Sequence, residues 1–209
     1  MTAKFIVIEG LEGAGKSTAM QICQQFLADK QIDFINTREP GGTPMAEALR
    51  TLVKNQYEEE VAGETELLIM YAARAQLLHN VIRPSLAANK WVLGDRHDMS
   101  SQAYQGGGRG LSQATLNSLS DIVLQGLKPD LTLYLDISPE VGLSRARGRG
   151  ELDRIELETI EFFEKTRARY LALAESDENC VVINAEQAMD KVHADILAAL
   201  ENFYQQVNL

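Results

Sequence analysis

Five short runs of near-continuous apolar character, at 4–9, 33–38, 90–95, 130–136 and 179–184, punctuate the chain. A strand with one wet face alternates apolar and polar residues. A run apolar at almost every position needs cover on both faces, the mark of parallel strands between two helical layers. Between the runs, apolar residues recur three and four apart. That spacing predicts helices over 16–30, 43–54, 64–87, 112–127, 139–147, 152–176 and 188–204. Strands alternating with helices predict an α/β fold with right-handed crossovers. No repeat, low-complexity tract or linker breaks the pattern, so residues 1–209 read as one domain. Ligands of such sheets bind beyond the carboxyl ends of the strands, and there the informative residues stand.

Composition narrows the classes. The apolar runs fall far short of the roughly 20 residues a bilayer span needs, and Lys4 ahead of Phe5-Ile6-Val7-Ile8 lacks the form of a secretory signal. Cys23 and Cys180 cannot by themselves build a disulfide framework or a four-ligand zinc site, and read as thiols in a reducing cytoplasm. His79, His97 and His193 have no metal-ligand spacing and read as structural. Thirty acidic against twenty basic residues give a net charge of −10, which argues against binding nucleic acid or an anionic membrane. Phosphate binding here requires a local cluster of cations working against the global field.

Directly after the first strand runs Gly10-Leu11-Glu12-Gly13-Ala14-Gly15-Lys16-Ser17-Thr18, a G-x-x-x-x-G-K-[ST] loop with a strand before it and a helix after it. Its glycines let backbone N–H groups turn inward around a phosphate, and the helix adds the positive end of its dipole. Lys16 is placed to neutralise the β- and γ-phosphates, and the Ser17 hydroxyl to ligate Mg²⁺. Asp95, at the end of the apolar run 90–95, is the second candidate for holding Mg²⁺. The segment Asn89-Lys90-Trp91-Val92 lacks the terminal Asp of a guanine-reading motif, which argues against a GTPase switch.

The arginines point to transfer chemistry. Arg145, Arg147, Arg149 and Arg154 crowd a stretch spaced by Gly148 and Gly150, the composition of a mobile lid over transferring phosphate; a solvated helix end paired with Glu151 and Asp153 is the plainer alternative. Arg38 and Arg96 follow strand ends. Arg74 falls on the same helical stripe as Leu67, Tyr71, Leu78 and Ile82, so it faces inward and needs an acceptor: a structural carboxylate or a ligand. Thr43 reads as a helix N-cap, and Gln105-Gly-Gly-Gly-Arg109-Gly110 as a connection that can line a site.

Taken together, Gly-Leu-Glu-Gly-Ala-Gly-Lys-Ser-Thr at 10–18, Thr-Arg-Glu-Pro-Gly-Gly-Thr at 37–43, Tyr-Ala-Ala-Arg at 71–74, Gly-Asp-Arg-His at 94–97, Ser-Ser-Gln-Ala-Tyr-Gln-Gly-Gly at 100–107 and the arginine-rich segment 145–156 resemble the bacterial thymidylate kinases, nucleoside monophosphate kinases of the P-loop class. The resemblance runs nearly end to end. It implies a five-stranded parallel sheet, a cytoplasmic homodimer, and the reaction ATP + dTMP = ADP + dTDP with Mg²⁺ (EC 2.7.4.9). It implies residue roles as well. ATP would lie on residues 10–18 and Arg145, with Lys16, Arg96, Arg147 and Arg149 catalytic and Ser17 and Asp95 on the metal. The acceptor would meet Glu12, Arg38, Glu39, Pro40, Arg50, Met70, Arg74, Arg96, Ser101, Tyr104 and Gln105. Within that set Arg38 and Arg96 would hold the acceptor phosphate, Arg74 the thymine carbonyl, and Tyr104 would crowd the ribose 2′ position. Met70 stands where the family often has a phenylalanine stacking on the base, and its polarizable thioether can still cover a ring.

The chemistry agrees with such an acceptor. A phosphate monoester carries roughly −1.5 to −2 charge at neutral pH, so its attacking oxygen has no proton to lose and needs no base. What the reaction needs is relief of repulsion between two polyanions and in-line placement. A sugar-hydroxyl kinase would need a carboxylate base, and Glu12 or Asp95 keeps a deoxynucleoside kinase as the runner-up.

Overall fold

The computed structural model describes residues 2–148 and 153–208. Strands β1 (Phe5–Gly10), β2 (Phe34–Arg38), β3 (Trp91–Asp95), β4 (Leu131–Asp136) and β5 (Cys180–Asn184) form one sheet in the order β2-β3-β1-β4-β5, every pair parallel. The order reverses direction at β1, so the crevice beyond Gly10 and Asp95 is the topological switch point. On β1 the side chains alternate between two cores: Phe5 and Val7 pack with Leu77, Leu78, Ile82 and Val92, while Ile6 and Ile8 pack with Leu93, Leu131, Leu133 and the helices opposite. Each such side chain contributes about 1.5–3 kcal/mol by leaving water. Two-sided cover holds for β1, β3 and β4 but not for the edges. Asn36 and Arg38 of β2 are exposed, and so are Val181 and Val182 of β5, so the expectation of full cover fails at the two edges of the sheet, where no further strand pairs.

The helices are α1 (Lys16–Asp29), α2 (Pro44–Lys54), α3 (Gly63–Leu77), α4 (Arg83–Ala87), α5 (Asp98–Ser101), α6 (Gln113–Leu124), α7 (Pro139–Arg147), α8 (Ile160–Ser176) and α9 (Met189–Val207). Thr43 caps α2 as expected, its hydroxyl accepting from the Ala46 N–H, with Pro44 in the first turn. Three expectations need correcting. The helix expected over 64–87 is interrupted by a π-helical turn, Leu78–Ile82, because Pro84 has no N–H and its ring cannot sit against a regular preceding turn. The helix expected from 152 begins at Ile160. Asp153 accepts from the N–H groups of Ile155 and Glu156, folding a local turn, and Thr159 then caps α8 through the Phe162 N–H. The glycine run at 106–108 is not a slack connection but part of π-helical turns, Gln102–Gly108, packed under α8. A Cβ on Gly107 would sit 2.8 Å from the Lys165 carbonyl, and one on Gly108 2.5 Å from the Phe162 ring. Close approach, not flexibility, explains those glycines. Among the described residues no helix is long and apolar enough to cross a membrane.

Candidate active site

A cavity of about 530 Å³ opens at the switch point, between the loop after β1, the ends of β2 and β3, α2, α3 and the segment 153–156. One wall, where the resemblance puts the phosphoryl donor, is Glu12, Gly13, Gly15, Lys16, Ser17 and Thr18, with Arg145 reaching in from α7. Gly10, Leu11 and Ala14 are buried behind that wall and shape it. Gly13 has φ +75, and a Cβ there would lie 2.1 Å from the Gly142 carbonyl of α7; one on Gly142 would meet the Glu12 carbonyl at 2.6 Å. Loop and helix therefore touch backbone to backbone, which holds the loop open toward a phosphate. Lys16 curls over it, its Nζ donating to the carbonyls of Gly10 and Leu11 at 3.0 and 2.8 Å. Burial and the nearby Arg96 charge lower the Lys16 ammonium to about 8.

Across the cavity stands a different construction. Arg96 follows β3 with φ 71, a left-handed conformation strained for a side chain of its size, at a cost on the order of 1–3 kcal/mol. That twist turns its guanidinium inward. Nη2 donates to Glu12 Oε1 at 2.6 Å and to the Tyr104 hydroxyl at 3.3 Å; Nη1 donates to Ser100 Oγ at 3.1 Å and to the Tyr170 hydroxyl at 3.3 Å. Tyr104 in turn donates to Glu12 Oε2 at 2.5 Å. Burial pushes the Glu12 carboxyl up, but the Arg96 and Lys16 charges outweigh it and hold Glu12 below its ordinary range. Beneath them Glu9, fully buried, accepts from the His97 N–H, Ser100 Oγ and the Tyr170 hydroxyl at 2.8, 2.6 and 2.9 Å; burial raises its carboxyl.

Glu39, Pro40, Arg50, Met70, Tyr104 and Gln105 complete this opposite wall, the one where the resemblance puts the acceptor. The Glu39 carboxylate lies between Arg74 Nε at 2.6 Å and His97 Nδ1 at 2.7 Å; burial is outweighed by those partners, and its carboxyl is lowered. Arg74 also donates to Asp98 Oδ1, the His97 carbonyl and Ser101 Oγ, at 3.2, 3.0 and 2.9 Å, with the Tyr71 ring 4.6 Å from its Cζ. The inward-facing arginine thus has carboxylate partners, and with Ser101 it lies behind the wall rather than in it. Arg50 donates to the Pro40 carbonyl at 2.8 Å, and burial together with the Arg38 charge lowers its guanidinium. Arg38 itself is exposed, bridged to Glu47 at 2.9 Å. Arg147 is exposed at the end of α7, and Arg149 lies outside the described residues.

Sequence reasoning missed Glu9, Ser100, Tyr170 and Glu66 as parts of the site. Glu66 did leave a signal: Glu66, Met70 and Arg74 are spaced i, i+4, i+8 on the inward stripe of α3, where an acid demands a partner. Glu9 ends an apolar run and left none.

The donor set suits Mg²⁺. A hard cation of this kind takes one or two protein oxygens and completes its shell with phosphate and water. Ser17 and Asp95 line the same cavity, and the buried Asp95 Oδ1 has no partner among the described residues.

A parallel sheet of this order, a phosphate loop at its switch point and a facing cluster of guanidinium groups define a P-loop nucleotide kinase. Comparison with known proteins narrows the class. The thymidylate kinase family model matches residues 8–196. The chain is 66% identical over 206 residues to the thymidylate kinase of Pseudoalteromonas translucida (strain TAC 125), covering 99% of both chains. It is 61% identical to that of Alteromonas mediterranea (99% of this chain, 93% of the relative) and 60% identical to that of Haemophilus ducreyi (97% and 95%). The chain belongs to the thymidylate kinase family.

Proposed function

We propose that this cavity transfers the γ-phosphoryl group of ATP to dTMP, giving ADP and dTDP for dTTP synthesis, through the residues described above. One observation carries the assignment of roles: Lys16, Ser17 and Asp95 share a single cavity with the Arg96–Glu12–Tyr104 cluster, so two phosphate-binding devices face each other. Backbone N–H groups of residues 10–18 and Lys16 hold the ATP phosphates, with Arg145 at the edge. Ser17 and Asp95 would hold Mg²⁺, which would supply neutralisation of phosphate charge. Arg96 receives the acceptor phosphate: Glu12 and Tyr104 keep its fork aimed in the free protein, and Glu12 yields its place on Arg96 when the phosphate binds. Charge balance favours this: in the free protein Glu12 occupies the position that an acceptor phosphate takes against Arg96. In this reading Tyr104 crowds the ribose 2′ position, and Met70, Gln105 and Arg50, which line the cavity with it, surround the base. Arg74 and Ser101 support the base side from behind; the contact of Arg74 with the thymine carbonyl that the resemblance implies would need one of its donors to be released from Asp98, the His97 carbonyl or Ser101 on binding. Glu39 and Pro40 close the floor, and Arg38 joins the acceptor phosphate on binding. Arg147, exposed at the end of α7, is the described arginine of the expected lid and would stabilise charge on the transferring group; Arg149 lies outside the described residues.

We read residues 1–209 as a single unit that pairs as a homodimer in the cytoplasm. Leu68 on α3 and Ile122 on α6 are 56% and 68% exposed on two helices packed side by side, an apolar face that a second copy would cover. Cys23 and Cys180 are free thiols, as a reducing compartment requires. A coupled ADP-release assay with dTMP, dUMP, CMP, AMP, thymidine and no acceptor tests the activity: turnover with dTMP far above thymidine is expected. Equal turnover without acceptor would defeat it.

A further inference from the structure

Glu66 has a fully buried side chain on which four donor groups converge. Its Oε1 accepts from Gln105 Nε2 at 2.8 Å and Arg109 Nε at 3.2 Å; its Oε2 accepts from Arg109 Nη2 at 3.0 Å and Arg154 Nη2 at 2.6 Å. Arg109 also bonds Glu158, so two guanidinium groups meet two carboxylates. Arg154 is itself anchored, Nε donating to the Val53 carbonyl at 3.0 Å at the end of α2. Burial pushes the Glu66 carboxyl up, but the hydrogen bonds and charge of Arg109 outweigh it and hold it below its ordinary range.

An ionised carboxylate only accepts hydrogen bonds. The side-chain amide of Gln105 must therefore turn its NH₂ toward Glu66, which leaves its carbonyl oxygen for the other side. Gln105 lines the cavity, and its buried Oε1 has no partner among the described residues.

We infer that Glu66 is the positioning residue that decides which bases the acceptor pocket takes: by fixing the Gln105 amide, it presents an acceptor to the cavity and selects a base with a ring N–H there. Thymine has that N–H at N3, whereas cytosine has a lone pair, which would leave two buried acceptors facing each other. This rests on reading Gln105 as part of the acceptor base pocket. A site built to pair one pattern of donors rejects its complement strongly, because the mismatched groups stay desolvated and unpaired.

The substitution Glu66→Gln tests it. Two guanidinium groups claim the single carbonyl oxygen at the Oε2 place, against one longer bond from Arg109 Nε at the Oε1 place, so the new NH₂ falls opposite Gln105, which flips and turns its own NH₂ into the cavity. The ratio of kcat/KM for dTMP to that for dCMP is expected to fall by about 30-fold or more, with dTMP losing and dCMP gaining. Glu66→Asp keeps an acceptor-only group and is expected to keep the preference at lower kcat/KM. A purely structural Glu66 would lower both nucleotides alike; an unchanged ratio in folded Glu66→Gln overturns the inference. Should that variant fail to fold, the wild-type protein carries the test by NMR. The Gln105 NH₂ signals, identified by their loss in Gln105→Leu, are expected to exchange slowly without nucleotide; fast exchange that slows only when dTMP is added overturns the inference. Absence of dTMP turnover in the wild-type protein would instead strike the acceptor reading itself.

Discussion

The two walls of the cavity solve the same problem, holding a polyanion in an acidic protein, by opposite means. The donor wall is backbone: glycines, inward N–H groups and a helix start, with Lys16 its principal charge and its residues contiguous in sequence. The acceptor wall is side chains joined over long separations, Arg96 to Glu12 across 84 positions, Tyr104 to Glu12 across 92 and Gln105 to Glu66 across 39. A backbone cradle recognises phosphate and little else. A side-chain wall can distinguish bases and sugars, but each cation in it needs an acceptor to wait beside it until the ligand arrives, as Glu12 does for Arg96 and the Pro40 carbonyl for Arg50. Generic recognition is local and cheap to encode; selective recognition is distributed.

The largest expected effect breaks the acceptor wall at its centre. Arg96→Ala removes a guanidinium from the acceptor phosphate and leaves Glu12 facing it with the Tyr104 hydroxyl but no arginine partner. Loss of one such donor alone costs about 10²–10³ in rate, and the freed carboxylate adds repulsion, so kcat/KM for dTMP should fall by about 10³ or more. The KM for ATP should change far less. Steady-state kinetics with each nucleotide varied in turn checks this, and a loss shared equally by both would mean that the walls are not separate devices.

That separation also explains what could be read in advance. The sheet, most helices and the donor wall follow from periodicity and a contiguous motif, both local properties. The π-helical turns at Leu78–Ile82 and Gln102–Gly108 escaped because Pro84 was absorbed into a good helical stripe and three glycines look like a connection. The buried acids Glu9 and Glu66 escaped because their partners lie far along the chain. Arg74 was legible as an inward charge, but its spacing could not say that Glu39 and Asp98 would take it up.

The donor wall has a signature of its own, smaller but specific. Lys16 is lowered from 10.5 to about 8, by burial first and the Arg96 charge second. In the free protein it loses its proton as pH rises through about 8, and its unfolded form still holds one up to about 10.5. Its contribution to stability therefore rises with pH across that window. Phosphate oxygens beside Lys16 favour the charged form, so ATP binding should take up a proton there. Calorimetric titration at pH 8.5 in two buffers of different ionisation enthalpy should show uptake of roughly half a proton or more, abolished in Lys16→Met. No difference between buffers would mean that the cradle binds ATP with Lys16 already charged.

The smallest effect concerns Arg38, the residue that belongs least clearly to either wall. It sits outside the cavity on Glu47, with side chains 53% and 40% exposed. An ion pair so exposed is worth about 0–1 kcal/mol, little enough to be exchanged for a doubly charged phosphate. Its charge already reaches the cavity, since it helps to lower Arg50, which lines the acceptor wall. If Arg38 leaves Glu47 for the acceptor, Arg38→Ala should raise the KM for dTMP by about five- to tenfold, with kcat and the melting temperature nearly unchanged, because only a weak surface pair is lost from the free protein. Glu47→Gln should then lower that KM, by releasing Arg38 beforehand. If neither variant moves the KM, Arg38 stays with Glu47 throughout, and Arg96 alone meets the acceptor phosphate from this side of the sheet.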